Sequence, residues 1–117
     1  MKIKYFYSLA SPFTFLSSEK LQTIAKKYSA EIIEKPCNLV GGIFAKTVGM
    51  PVPKQSPQRQ KYRLDELKRW SEFLKIKINI KPKFFSPKVP HVSAKFTIAT
   101  NLLGVKILFV HEILKKF

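Results

Sequence analysis

An α/β fold built on a parallel βαβ unit is the class this sequence predicts, on three observations. Two short runs of β-branched and aromatic residues, Ile3–Tyr7 and Glu31–Cys37, flank a segment with helical periodicity. That segment opens on Ser11-Pro12, a hydroxyl residue followed by proline, which is a helix start signal. Finally, 117 residues with 45% apolar content, ten Phe and four Tyr suffice for one packed core and are too few for two ordinary domains.

The first strand, Ile3 to Tyr7, suits a half-buried sheet position. Ser11 can serve as N-cap while Pro12 takes the first helical position, where its missing N–H is no loss. Phe13, Leu16, Leu21, Ile24, Ala25 and Tyr28 then recur at helical spacing. Strand, helix and strand in this order and length imply a right-handed crossover with parallel strands. The functional end of such a sheet lies at the strand C-termini, here Ser8 to Pro12.

From Asn38-Leu39-Val40-Gly41-Gly42 onward the character changes to a long connection punctuated by Gly49, Pro51, Pro53 and Pro57. An amphipathic helix follows from about Ser56 to Leu74, with Leu64, Leu67, Trp70 or Ser71, and Leu74 forming its apolar stripe, which assigns Trp70 to the core. Ile76-Lys77-Ile78-Asn79-Ile80 alternates like a strand, but Pro82, Pro87 and Pro90 favour an extended, turn-rich segment. Two further helices are expected, Ser93 to Leu103 and Val105 to Phe117, separated at Gly104.

The net charge of +15 comes from 22 Lys and Arg against 7 acidic residues. Apart from Arg59, Arg63 and Arg69 the basic residues are lysines spread over every segment, which reads first as a compositional bias of the coding DNA. The same charge raises nucleic acid as a partner, through Arg59, Lys61, Arg63, Lys68, Arg69 and aromatic stacking. The core assignment of Trp70 speaks against that reading. The field would in any case draw carboxylate-bearing ligands.

Cys37 is the single cysteine, which excludes an internal disulfide, and it is expected as a buried inert thiol. His91 and His111 have no metal-ligand spacing with each other or with Cys37. No signal peptide or membrane-length apolar run is evident, so a cytoplasmic location is the expectation.

Tyr5-Phe6-Tyr7 with Ser11-Pro12-Phe13, then Asn38-Leu39 with Gly41-Gly42, then Gly49-x-Pro51, then Tyr62-x-x-Asp65-x-Leu67-x-Arg69-Trp70 leading to Pro82 and Phe85, follow one another in order. In this the chain resembles the 2-hydroxychromene-2-carboxylate isomerase family over residues 1 to roughly 105. That family is close to kappa-class glutathione transferases and, more distantly, to DsbA-like disulfide oxidoreductases of the thioredoxin superfamily. Where thioredoxin-like redox proteins carry Cys-x-x-Cys, this chain has Ser11-Pro12-Phe13-Thr14, so any thiol must come with a ligand.

The resemblance implies a DsbA-like thioredoxin fold with a helical insertion, glutathione as cofactor, and an aromatic carboxylate as small-molecule substrate. It implies Ser11 as the catalytic residue holding the glutathione thiolate, with Pro12, Arg59 and Tyr62 contributing to cofactor binding. Met50 stands where the family often has Asn. Family members are also longer, so residues 1–117 are expected to form a single incomplete domain, a βαβ unit at 1–40 followed by loop and helical insertion at 41–117. This leads to three alternatives: an isomerase that works as a homodimer or with a complementing second-half polypeptide, a non-catalytic fragment of a degenerating gene, and a small basic nucleic-acid-binding protein.

Overall fold

The computed structural model describes residues 1–82 and 91–104. In chain order these form strand β1 (Lys2–Tyr7), helix α1 (Pro12–Lys27), strand β2 (Glu31–Pro36), helix α2 (Pro57–Leu74) and helix α3 (His91–Leu102), with short helical turns between β2 and α2. The two strands pair in parallel, from Lys2 opposite Glu31 to Tyr7 opposite Pro36. This is the expected βαβ unit. The segment 76–80 forms no strand, and the helix expected over 105–117 lies outside the described residues.

Two clusters hold these elements together. On one sheet face Tyr7 and Leu9 are buried against Tyr5 and Ala94 of α3, with the Tyr5 and Tyr7 rings stacked at 4.8 Å. In the second, Phe15 and Leu16 of α1 meet Leu67 of α2, with Leu64, Leu74, Ile76 and Ile78 around them. The helix stripes therefore differ in part from the expectation. Leu16 and Ala25 are buried as expected, but Phe15 takes the place assigned to Phe13, which is exposed along with Ile24 and Tyr28.

Trp70 is the clearest correction, since it is 45% exposed rather than part of the core. α1 covers a narrow stripe centred on Leu67, and Trp70, about 60° around the helix from Leu67 by the 100° step per residue, falls on its margin. There its ring meets Phe73 edge-on at 5.7 Å. Cys37 is likewise half-buried rather than enclosed, with its thiol 3.4 Å from the Lys35 carbonyl oxygen.

The connection after β2 shows why its small residues stand where they do. The Asn38 side-chain oxygen accepts the Gly41 N–H at 3.0 Å, while the Asn38 carbonyl accepts the N–H groups of Gly42 and Ile43. At Gly49 an added Cβ would lie 2.3 Å from the Phe44 ring, so no larger residue fits without moving it. The end of α2 is a left-handed cap, with Lys75 at φ 56° and the Ile76 N–H returning to the Ser71 carbonyl at 3.1 Å.

Candidate functional site

β1 ends at Tyr7, and α1 begins at Pro12 after four intervening residues. Burial of Tyr7 and Leu9 pins the end of the strand. The chain then tightens into a turn in which the Ser11 N–H donates to the Ser8 carbonyl at 3.0 Å, and the Ser11 carbonyl accepts the Thr14 N–H at 3.0 Å. Pro12 occupies the first helical position as expected.

Ser11 is half-buried in an extended conformation, φ −97° and ψ 118°, and its side chain makes no cap hydrogen bond. The hydroxyl therefore stands uncommitted beside the positive end of a 16-residue helix whose first turn contains no acidic residue. Chemically, that combination can donate a hydrogen bond to an anion and favour its charged state.

Arg59 and Tyr62 lie on α2, which runs beside α1 through the Phe15, Leu16, Leu64 and Leu67 contacts. Both are exposed, Tyr62 on the side of α2 turned away from Leu67. The Arg59 N–H donates to the Ser56 cap. Among the described residues no hydrogen bond or ion pair joins either side chain to Ser11 or Pro12. Arg63, one turn beyond Arg59, is half-buried, and desolvation lowers the pKa of its guanidinium.

A second polar group lies between the sheet and α3, and the sequence reading did not single it out. The Tyr7 hydroxyl is buried and faces the Glu34 carboxyl and the Thr97 hydroxyl without a well-formed hydrogen bond to either. Desolvation, then the nearby Glu34 charge, raises the phenol pKa well above its usual value. Burial likewise raises the Glu34 carboxyl, although Asn101 and the nearby Tyr7 hydroxyl oppose this. One signal was legible, a glutamate interrupting the apolar run of an otherwise strand-like Ile32-Ile33-Glu34. Its partners on α3 were not. Among the described residues no cluster of His, Cys, Asp and Glu could hold a metal ion, and no helix is long and apolar enough to cross a membrane.

Comparison with known proteins places this architecture in a class. The profile of the DsbA-like thioredoxin domain matches residues 2–106, and the chain belongs to that family. Among solved structures it is similar to a 2-hydroxychromene-2-carboxylate isomerase, with a TM-score of 0.56 and 15% identity over 99% of this chain and 76% of that one. At that identity the likeness shows the fold alone. No curated protein matches.

Proposed function

We propose that this protein binds glutathione at the start of α1 and uses its thiolate as the nucleophile of a 2-hydroxychromene-2-carboxylate isomerase-type reaction. The observation that supports it is the Ser11 hydroxyl, which makes no cap hydrogen bond and stands at the α1 N-terminus. The hydroxyl would donate to the sulfur, and the helix terminus would lower the thiol pKa, as at other thiolates in this setting. The thiolate adds to an unsaturated carbon of the substrate, and the electron pair moves onto its conjugated carbonyl. The former double bond becomes free to rotate, and expulsion of the thiolate restores it in the isomerised product. The borrowed sulfur is regenerated, so no oxidant or reductant is consumed.

The substrate class in this reading is an aromatic carboxylate, which suits a chain of net charge +15. Arg59 and Tyr62 are the proposed contacts for a glutathione carboxylate, Arg59 by a bidentate pair. They reach the ligand only if it extends from Ser11 across to α2. A homodimer or a complementing second polypeptide completes the pocket in this reading, and the setting is the reducing cytoplasm, where glutathione is abundant.

The test is urea unfolding followed by circular dichroism, with and without glutathione, on the parent and on Ser11→Ala. At a glutathione concentration 100 times its dissociation constant, the parent should gain about 2.7 kcal/mol and the variant far less. A parent whose transition does not move with glutathione would sink the reading.

One observation favours a second reading, a nucleic-acid-binding protein. With Trp70 at the surface, the objection that it belongs to the core falls away, and Tyr62, Trp70 and Phe73 are exposed on the helix that carries all three arginines. Oligonucleotide affinity that falls steeply with salt and quenches the single tryptophan would support it.

A further inference from the structure

Among the described residues the outer edge of β2 pairs with no strand and faces a groove. The Glu31 N–H donates to the Met1 carbonyl at 2.9 Å and the Cys37 N–H to the Tyr7 carbonyl at 2.7 Å. In a parallel pair alternate residues direct their main-chain groups to the same neighbour. Residues 31, 33, 35 and 37 therefore face β1, and Ile32, Glu34 and Pro36 turn their main-chain groups outward. Pro36 offers only a carbonyl there. Among the described residues no strand lies along this edge.

The groove beside it measures about 1080 Å³, and its lining runs without a break along residues 29–37 on one side. Opposite stand Ile98, Asn101 and Leu102 of α3, and Phe6 closes it from the far sheet face. The six residues of β2 span roughly 20 Å, enough to pair with about five residues of extended chain.

Side-chain direction states what that chain should carry. Glu34 shares the sheet face of Tyr5 and Tyr7 and projects toward Asn101, so a residue beside it on that face meets a carboxyl flanked by Asn101 and Tyr7. The Tyr7 hydroxyl behind it is the one buried side-chain polar atom among the described residues that lacks a hydrogen-bond partner. Residues flanking that position meet Ile98 and Leu102, 46% and 83% exposed, and those on the opposite face meet Phe6, 66% exposed. Lys35 projects to the Phe6 face, away from Glu34.

We propose that this groove takes up an extended peptide segment of a partner protein as a third strand against β2, apolar at alternate positions and carrying a lysine or arginine beside Glu34. Main-chain hydrogen bonds to Ile32 and Glu34 supply affinity, and the carboxyl selects the basic residue. The surface is separate from the Ser11 turn, which does not line the groove. The proposal therefore stands whether or not glutathione binds.

The probe is a fluorescein-labelled heptapeptide of alternating valine and threonine with a central lysine, titrated into the whole chain by fluorescence anisotropy. Saturable binding is expected. N-methylation of one alternate set of peptide residues should weaken it roughly tenfold or more, because that set provides the edge-facing N–H groups, and methylation of the other set should not. Replacing the central lysine by methionine should weaken binding to the parent and leave binding to Glu34→Gln unchanged. Hydrogen exchange on the parent protein gives a readout free of any folding defect in a variant. The Ile32 and Glu34 amides should gain protection on peptide addition. No saturable binding, equal affinity for both methylated peptides, or protection at Lys4 and Phe6 instead would each overturn the proposal, whereas peptide binding retained in Ser11→Ala would confirm that the two sites are distinct.

Discussion

Helices α1 and α2 begin with the same dipeptide, Ser11-Pro12 and Ser56-Pro57, yet the two serine hydroxyls are used differently. Ser56 lies at φ −60° and ψ 151° and accepts the Arg59 N–H, as an N-cap should. Ser11 lies at φ −97° and ψ 118° and caps nothing with its side chain. The preceding chain accounts for the contrast. Ser56 follows a short helical turn with no fully buried residue, Val52–Lys54, whereas Ser11 follows a strand end fixed by buried Tyr7 and Leu9 and a turn closed by the Ser8 carbonyl. One motif thus yields a structural cap at one end of the fold and an available hydroxyl at the other.

The largest expected effect removes the seam that holds the middle of α2 against the first turns of α1. Leu67 is 2% exposed between Phe15 and Leu16, and Leu67→Ala should cost about 2–4 kcal/mol by urea unfolding. If the variant unfolds within about 1 kcal/mol of the parent, the seam does not hold α2 to α1. Next, Ser56→Ala should cost about 1 kcal/mol, the usual loss of a working cap. A neutral result would erase the distinction between the serines.

The strand end that constrains Ser11 can be tested through pH. Glu34, beside Tyr7, has a folded pKa raised by burial. The folded state therefore holds its proton more tightly than the unfolded chain does. The contribution is fully present below the ordinary carboxylate value and is lost as pH rises through the raised one. Stability measured across that window should fall with rising pH in the parent and show a shallower fall in Glu34→Gln. An unchanged slope in the variant would assign the dependence elsewhere and remove Glu34 from the anchoring group.

Sequence patterning carried the βαβ unit and the starts of both helices, because hydrophobic period and cap chemistry are local signals, whereas the DsbA-like thioredoxin fold came from the family resemblance alone. It could not carry which face of each helix is covered. Phe13 and Trp70 have the spacing of core residues, but a partner helix covers only a narrow stripe, and its placement is a tertiary fact. The group of Tyr7, Glu34, Thr97 and Asn101 was illegible for the same reason, since its members come from three elements far apart in the chain. The free state of the Ser11 hydroxyl depends on backbone angles that Ser-Pro does not determine, as Ser56 demonstrates.

The smallest effect is the most discriminating. Since the Ser11 side chain makes no cap hydrogen bond, Ser11→Ala without ligand should change stability by no more than about 0.5 kcal/mol, below the usual cost of losing a cap. The two alanine variants, unfolded in urea under identical conditions, then form an internal control in which Pro12 and Pro57 are retained and only the hydroxyl is lost. A cost at Ser11 equal to that at Ser56 would mean its hydroxyl caps α1 in solution, which would leave an incoming anion only the helix amides. A small cost without ligand, together with a glutathione response that Ser11→Ala abolishes and Ser56→Ala retains, would separate a binding hydroxyl from a capping one within a single chain.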